Sequence, residues 1–174
     1  MLLPFALLVI LSCSKNNNIE NEGDGYAKAF RNGAEWKAIC SSKKSVRDIN
    51  KLVLGFEYYN SQHYLRNSFN FRYLPYYVGN YYPHQYQSNI PDSIFTISFY
   101  TLLEDGDVQG DKYVIIRDSA FFISIDHINY QTGAISGKFG GELIKAINSG
   151  QETDPSSPDT LKFEDGIFET IVKK

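Results

Sequence analysis

From Tyr26 to Val172 the apolar residues recur at every second position, and that period constrains the fold more than any other feature of the chain. A period of two puts alternate side chains on opposite faces of an extended strand. Leu52, Leu54, Phe56 and Tyr58 share one face, as do Phe69, Phe71 and Tyr73, then Phe95, Ile97 and Phe99, then Phe121, Ile123 and Ile125. The runs are separated by Asn, Asp, Gly and Pro, as antiparallel strands joined by tight turns require. These apolar residues are the expected core.

The first turn is specific. In "YAKAFRNGAEWKAIC", Asn32-Gly33 suits a two-residue type I′ hairpin, in which both central residues take positive φ. That register sets Ala29 opposite Trp36 and Ala27 opposite Ala38, with Cys40 extending the same apolar face. It also puts Phe30 on the other face, whereas a longer loop would turn Phe30 inward. Ile135, Gly137, Phe139, Gly141 and Leu143 follow a turn at Asn129–Gly133, and glycines alternating with large residues permit a bent strand or close packing. Leu161 and Phe163 fall on odd positions and Phe168 on an even one, so a bulge at Asp165-Gly166 is expected to restore the face. Helix is scarce: Ser45 and Asp48 have capping-box spacing for one short turn. The expected fold is all-β, a single antiparallel β-sandwich over 26–174, with a closed or partly open β-barrel as the alternative.

Before that domain the chain reads "LLPFALLVILSCSKNNNIENEGDG". Leu2–Leu11 is too short to cross a bilayer, which takes roughly 20 apolar residues as a helix, but it has the length of an export-signal core. Ile10-Leu11-Ser12-Cys13 resembles the lipobox of bacterial lipoproteins, in which the cysteine becomes the acylated first residue. Residues 1–12 carry no charge, a departure from the usual basic opening. The alternative is a buried strand with an incidental cysteine. Residues 1–12 are therefore expected to be a lipoprotein signal peptide, and 13–25 a lipidated cysteine with a polar tether that has too little apolar surface to pack.

Composition narrows the function. With 17 Lys+Arg against 20 Asp+Glu and no basic block, the chain has no electrostatic reason to hold nucleic acid. Besides Cys13 only Cys40 remains; paired with a distant histidine it could be a thiol nucleophile, but its phase with Trp36 and Ala38 favours a buried, inert thiol. His63, His84 and His127 stand in three separate contexts, with no His-x-x-x-His or Cys-x-x-Cys pair to seat zinc. No nucleophile elbow occurs, although two carboxylates flanking a cleft would leave no sequence signature. No cofactor or metal is expected. Asp105, Asp107, Gln109 and Gly110 have the spacing of half an EF-hand loop, but Ile116 stands where a bidentate Glu is required. The same residues suit a hairpin turn with its acids in solvent.

The opening "NGAEWKA", the segment "SIDHINYQTGAISGKFGGEL" and the closing "DGIF" together resemble a group of small envelope lipoproteins of unknown function from the phylum Bacteroidota. The matching positions are Asn32, Gly33, Trp36, Ala38, Gly137, Phe139, Gly166 and Phe168, at the two ends of the domain. The resemblance implies lipidation and a β fold, and the expected address is a lipid anchor in the cell envelope, at the outer membrane on either its periplasmic or its surface face. It carries no catalytic residue.

Tyrosine is the remaining signal. Nine of the thirteen tyrosines lie between Tyr58 and Tyr86, so their density there asks for a surface explanation. In "YLPYYVGNYYPHQY" the adjacent pairs Tyr76-Tyr77 and Tyr81-Tyr82 must split between two faces if extended. One of each pair is then outside, in a segment that Pro75, Gly79 and Pro83 mark as loop or edge. Tyr76, Tyr77, Tyr81 and Tyr82 are accordingly the candidate ligand-binding residues, since exposed aromatic rings stack on sugars and apolar peptide groups; tyrosines covering a strand edge are the plainer alternative. Three functions fit: a non-catalytic module binding a glycan or an envelope protein, an accessory subunit of an envelope complex, or a hydrolase with unrecognised residues.

Overall fold

The computed structural model describes residues 25–84, 94–103, 108–117, 120–146 and 156–173. These form the strands β1 (Gly25–Arg31), β2 (Ala34–Lys44), β3 (Lys51–Tyr59), β4 (Leu65–Pro75), β5 (Gly79–Tyr81), β6 (Thr96–Leu103), β7 (Val108–Val114), β8 (Phe121–Ile128), β9 (Ala134–Lys145) and β10 (Thr160–Lys173). Around β1, β2, β3, β4, β6, β7, β9 and β10 each strand pairs antiparallel with the next, and β10 returns to β1. The result is an eight-stranded closed barrel. The all-β expectation holds in its barrel form; the β1–β10 ladder pairs the first strand with the last and removes edges that a sandwich would leave open. β8 lies along β9 beyond β7, and β5 lies along β8.

Local rules account for the strands. Asn32 and Gly33 take φ of 50° and 78°, and the two-residue hairpin sets Ala29 against Trp36 and Ala27 against Ala38. Phe30 consequently faces solvent. Asp165 takes φ of 52° and the β9–β10 register shifts between Phe163 and Gly166, so Phe163 and Phe168 both point inward. One expectation fails at Tyr73. Leu52 pairs with Leu74 but Val53 with Arg72, which leaves Tyr73 as an extra residue at φ 62° and turns Leu74, not Tyr73, into the core. Residues 45–50 form no helical turn: Ser45 Oγ accepts from Arg47 N–H, and Lys51 N–H closes a turn onto the Asp48 carbonyl.

An eight-stranded barrel has an interior just wide enough for side chains to fill it. Here aromatic rings fill it. Trp36, Phe56, Phe69, Phe71, Phe99, Phe121, Phe139, Phe163 and Phe168 are all buried, and neighbouring ring centroids lie 4.5–6.5 Å apart, mostly in tilted or edge-on pairs, with Phe121 and Phe139 stacked. Cys40 is buried beside them, as its phase predicts. Room comes from glycine: Gly137 pairs with Phe168 on one side and Ile125 on the other, and a Cβ there would sit 1.9 Å from the Ser124 carbonyl oxygen and 2.9 Å from the Phe168 ring. Gly137→Ala must therefore push two strands apart, at an expected cost of about 1–3 kcal/mol. A denaturation midpoint within error of wild type would refute that close approach.

The outward face is the reverse of the interior. Lys28, Glu35, Lys37, Arg72, Asp126, Lys138, Lys162, Glu164 and Glu169 are exposed around the wall, with local pairs such as Lys162–Glu164 at 2.8 Å. A barrel that crosses a membrane needs an apolar band there. This wall mixes its charges with exposed Phe30, Phe122, Ile167 and Ile171.

Candidate functional site

Because the strands alternate in direction, connections that are far apart in sequence meet at the same end of the barrel. β2 and β10 run parallel to it and finish side by side, with Ser42 opposite Val172 and Lys43 opposite Lys173. The 45–50, 76–78 and 129–133 connections lie at that end. They are stitched by backbone hydrogen bonds: Tyr76 N–H donates to the Asn50 carbonyl at 2.8 Å, and Val172 N–H to the Gly133 carbonyl at 2.9 Å. Asn129 Oδ1 accepts from Gln131 and Thr132 N–H and holds the last of the three loops in shape.

The tyrosines gather on this rim, in unequal positions. Tyr76 is 7% exposed and packs edge-on against Tyr130 at 5.5 Å, with Lys44 Nζ 5.7 Å from its ring centre. Tyr77, its neighbour, is 53% exposed. The two do split between faces. Tyr81 is half-buried and its hydroxyl donates to the Tyr77 carbonyl at 2.8 Å, while Tyr82 is exposed on the flank. Burial pushes the Tyr76 and Tyr81 hydroxyls above the usual phenol range, and the neighbouring Tyr130 adds to both shifts. Tyr76 and Tyr81 thus support the rim; Tyr77 and Tyr82 present rings to solvent.

Sequence reasoning missed Tyr130, which is 66% exposed, and the apolar Val46, Ile49 and Val78 that share the rim. The available signal was the meander itself, since alternate connections of an up-and-down sheet share one end. The half EF-hand lies elsewhere. Leu103 pairs with Val108 as hairpin strands, Ile116 is exposed, and Asp105 and Asp107 fall outside the described residues. Cys13, the tether and Tyr86 also fall outside them.

At the opposite end the inward positions turn polar. Arg31 Nη1 donates to Asn67 Oδ1 at 2.6 Å, and Trp36 Nε1 reaches the same oxygen at 3.4 Å. Burial lowers the Arg31 guanidinium from its ordinary value. Asp111 is buried in phase with Tyr113 and Ile115. Among the described residues neither of its carboxylate oxygens receives a hydrogen bond, and Lys145 Nζ stands 3.5 Å away as its ion-pair partner. Lys145 also donates to the Ser157 carbonyl, and the Tyr113 hydroxyl to the Pro158 carbonyl at 2.7 Å. These bonds cross between strands and close the aromatic interior with a polar plug.

His63, His84 and His127 are exposed on three different segments, and among the described residues no three His, Cys, Asp or Glu side chains converge as metal ligands would. No family model, curated protein or solved structure matches the chain.

Proposed function

We propose that this chain is a lipid-anchored protein of the bacterial cell envelope, acylated at Cys13, whose barrel is a non-catalytic binding module. The observation that carries the reading is the filled interior: with aromatic side chains occupying the barrel, a ligand has to be met on the outside. Outside, exposed Tyr77 and Tyr82 offer stacking surfaces for a glycan ring or an apolar peptide group of an envelope protein. The lipobox-like Ile10–Cys13 and the resemblance to Bacteroidota lipoproteins support the anchor and an outer-membrane address.

The test separates binding from stability. Tyr77→Ala and Tyr82→Ala are expected to change stability by less than about 0.5 kcal/mol, as exposed substitutions do, and to weaken glycan or peptide binding by about 1 kcal/mol, roughly fivefold. Tyr76→Ala, buried against Tyr130, is expected to lower stability by about 2–4 kcal/mol instead. Thermal unfolding and a glycan array on the same three variants read both quantities. Equal stability losses at all three, with no change on the array, would return these residues to a packing role.

A further inference from the structure

We propose that the tyrosine-bearing end of the barrel is a membrane-docking face that rests on an anionic bilayer surface. This rests on the reading of Cys13 as the anchor and adds what the rim touches. Three independent observations converge on that end.

The first is where the described chain begins. β1 starts at Gly25, which pairs with Cys40 on β2, four residues short of the rim at Lys44. The segment from Cys13 to Gly25 therefore joins the barrel near this end. Its length of about 12 residues limits its reach to about 40 Å. A barrel held at that end by that length keeps the rim beside the bilayer, while the Asn32-Gly33 hairpin is a full strand length further away.

The second is what the loop tips expose. Val46 is 98% and Ile49 68% exposed at the tip of the 45–50 loop, and Tyr77, Val78 and Tyr130 stand exposed beside it. Isolated apolar residues on a surface need no explanation, but these come from three loops that share one end. Aliphatic tips flanked by tyrosines match the interfacial layer of a bilayer, where an amphipathic ring meets both acyl chain and water.

The third is charge. Lys43, Lys44, Arg47 and Lys173 are exposed on the same end, with Lys51 half-buried at the base of the loop. Asp48 is the acid within the 45–50 loop, and Asp126 and Glu169 lie on the neighbouring strands. Toward the opposite end the exposed acids Glu35, Asp159, Glu164 and Asp165 are interspersed with the exposed bases Lys37 and Lys162, paired to Glu35 and Glu164. An anionic leaflet attracts basic groups within a Debye length, so it favours the basic rim over the end where charges are balanced in pairs. Tethering makes this contact intramolecular, at an effective concentration in the millimolar range, so a weak docking face suffices. Tyr82, on the flank, stays open to a soluble ligand while the rim is docked, and Tyr77 reaches one only when the rim is off the bilayer.

The experiment uses the full acylated chain in vesicles of phosphatidylglycerol and phosphatidylethanolamine, with bromine on the acyl chains of a parallel set. An environment-sensitive fluorophore is placed at Val46→Cys on the rim, or at Glu35→Cys near the far hairpin; Cys40 is buried and Cys13 is blocked by acylation. The probe at 46 is expected to blue-shift and to be quenched several-fold by brominated lipid, and the probe at 35 to behave as in water. Replacing phosphatidylglycerol by phosphatidylcholine should weaken the quenching at 46. Equal behaviour of the two probes, or a rim probe in water while intact mass shows the acyl group present, overturns the docking face and leaves the anchor standing. Protection of the rim probe by a soluble glycan or protein, without lipid quenching, also overturns it. If intact mass shows no acyl group, the anchor falls; quenching with unacylated chain added to the same vesicles then supports the face, and its absence refutes it.

Discussion

Phe163→Ala is expected to remove about 3–5 kcal/mol of stability, a large part of the roughly 5–15 kcal/mol that a domain possesses. Phe163 is 1% exposed, and its ring centre lies 5.4 Å from Trp36, 5.3 Å from Phe69 and 5.8 Å from Phe99. It also stands just before the bulge at Asp165, where the β10 backbone is committed by the shifted register and cannot slide to fill a void. Lost transfer free energy therefore adds to a cavity that collapses poorly. Phe30→Ala is the internal control, because Phe30 is exposed on the neighbouring strand and should lose no more than a few tenths of a kcal/mol. Chemical denaturation of both variants decides. A Phe163→Ala midpoint close to wild type would mean that the ring does not fill the barrel.

The same contrast between Phe163 and Phe30 was legible in the sequence, because each depends on a local rule. Asn32-Gly33 can close a two-residue hairpin and so fixes the phase of Ala27, Ala29 and Trp36. Asp165-Gly166 is where an extra residue can be absorbed, and Phe168 on the opposite parity required one. Tyr73 defeats the same reasoning. Its alternation with Phe69 and Phe71 is regular, and only the pairing of Leu52 with Leu74 shows that the phase changes there. No Gly or Asn marks the site, and a non-glycine residue at positive φ leaves no trace in composition.

Barrel and sandwich were not separable for a different reason. Both use the same alternation within each strand, and they differ in whether β1 meets β10 across more than a hundred residues. The rim was hidden by the same distance. Val46, Tyr77 and Tyr130 belong to three connections that become neighbours only when the meander closes, so tyrosine density exposed one third of the surface. Asp111 closely follows Asp105 and Asp107 in the chain, which disguises it as one more solvent acid. Its phase with Tyr113 and Ile115 placed it inside, where Lys145 meets it.

Cys13→Ala is expected to abolish stable membrane association, the largest functional effect of any single substitution in this chain. Among the described residues no helix is long and apolar enough to cross a membrane, and charged side chains such as Lys28, Arg72, Lys138 and Glu169 stand exposed on the barrel wall. Each buried methylene contributes about 0.8 kcal/mol, one acyl chain alone binds reversibly, and two or more make the attachment effectively permanent. On the proposed reading, the few exposed apolar and basic residues of the rim orient a tethered barrel and do not hold an untethered one. Wild type should resist carbonate and high salt and come off only in detergent, with an intact mass that includes the acyl group. The variant should lack that mass and wash off at high salt, because what remains is screened electrostatics and shallow apolar contact. A wild-type protein without acyl mass, or a variant retained as firmly as wild type, would refute the assignment of Cys13. Retention of the variant that yields to salt but not to Val46→Asp would refute the rim instead, so the two ideas fail separately.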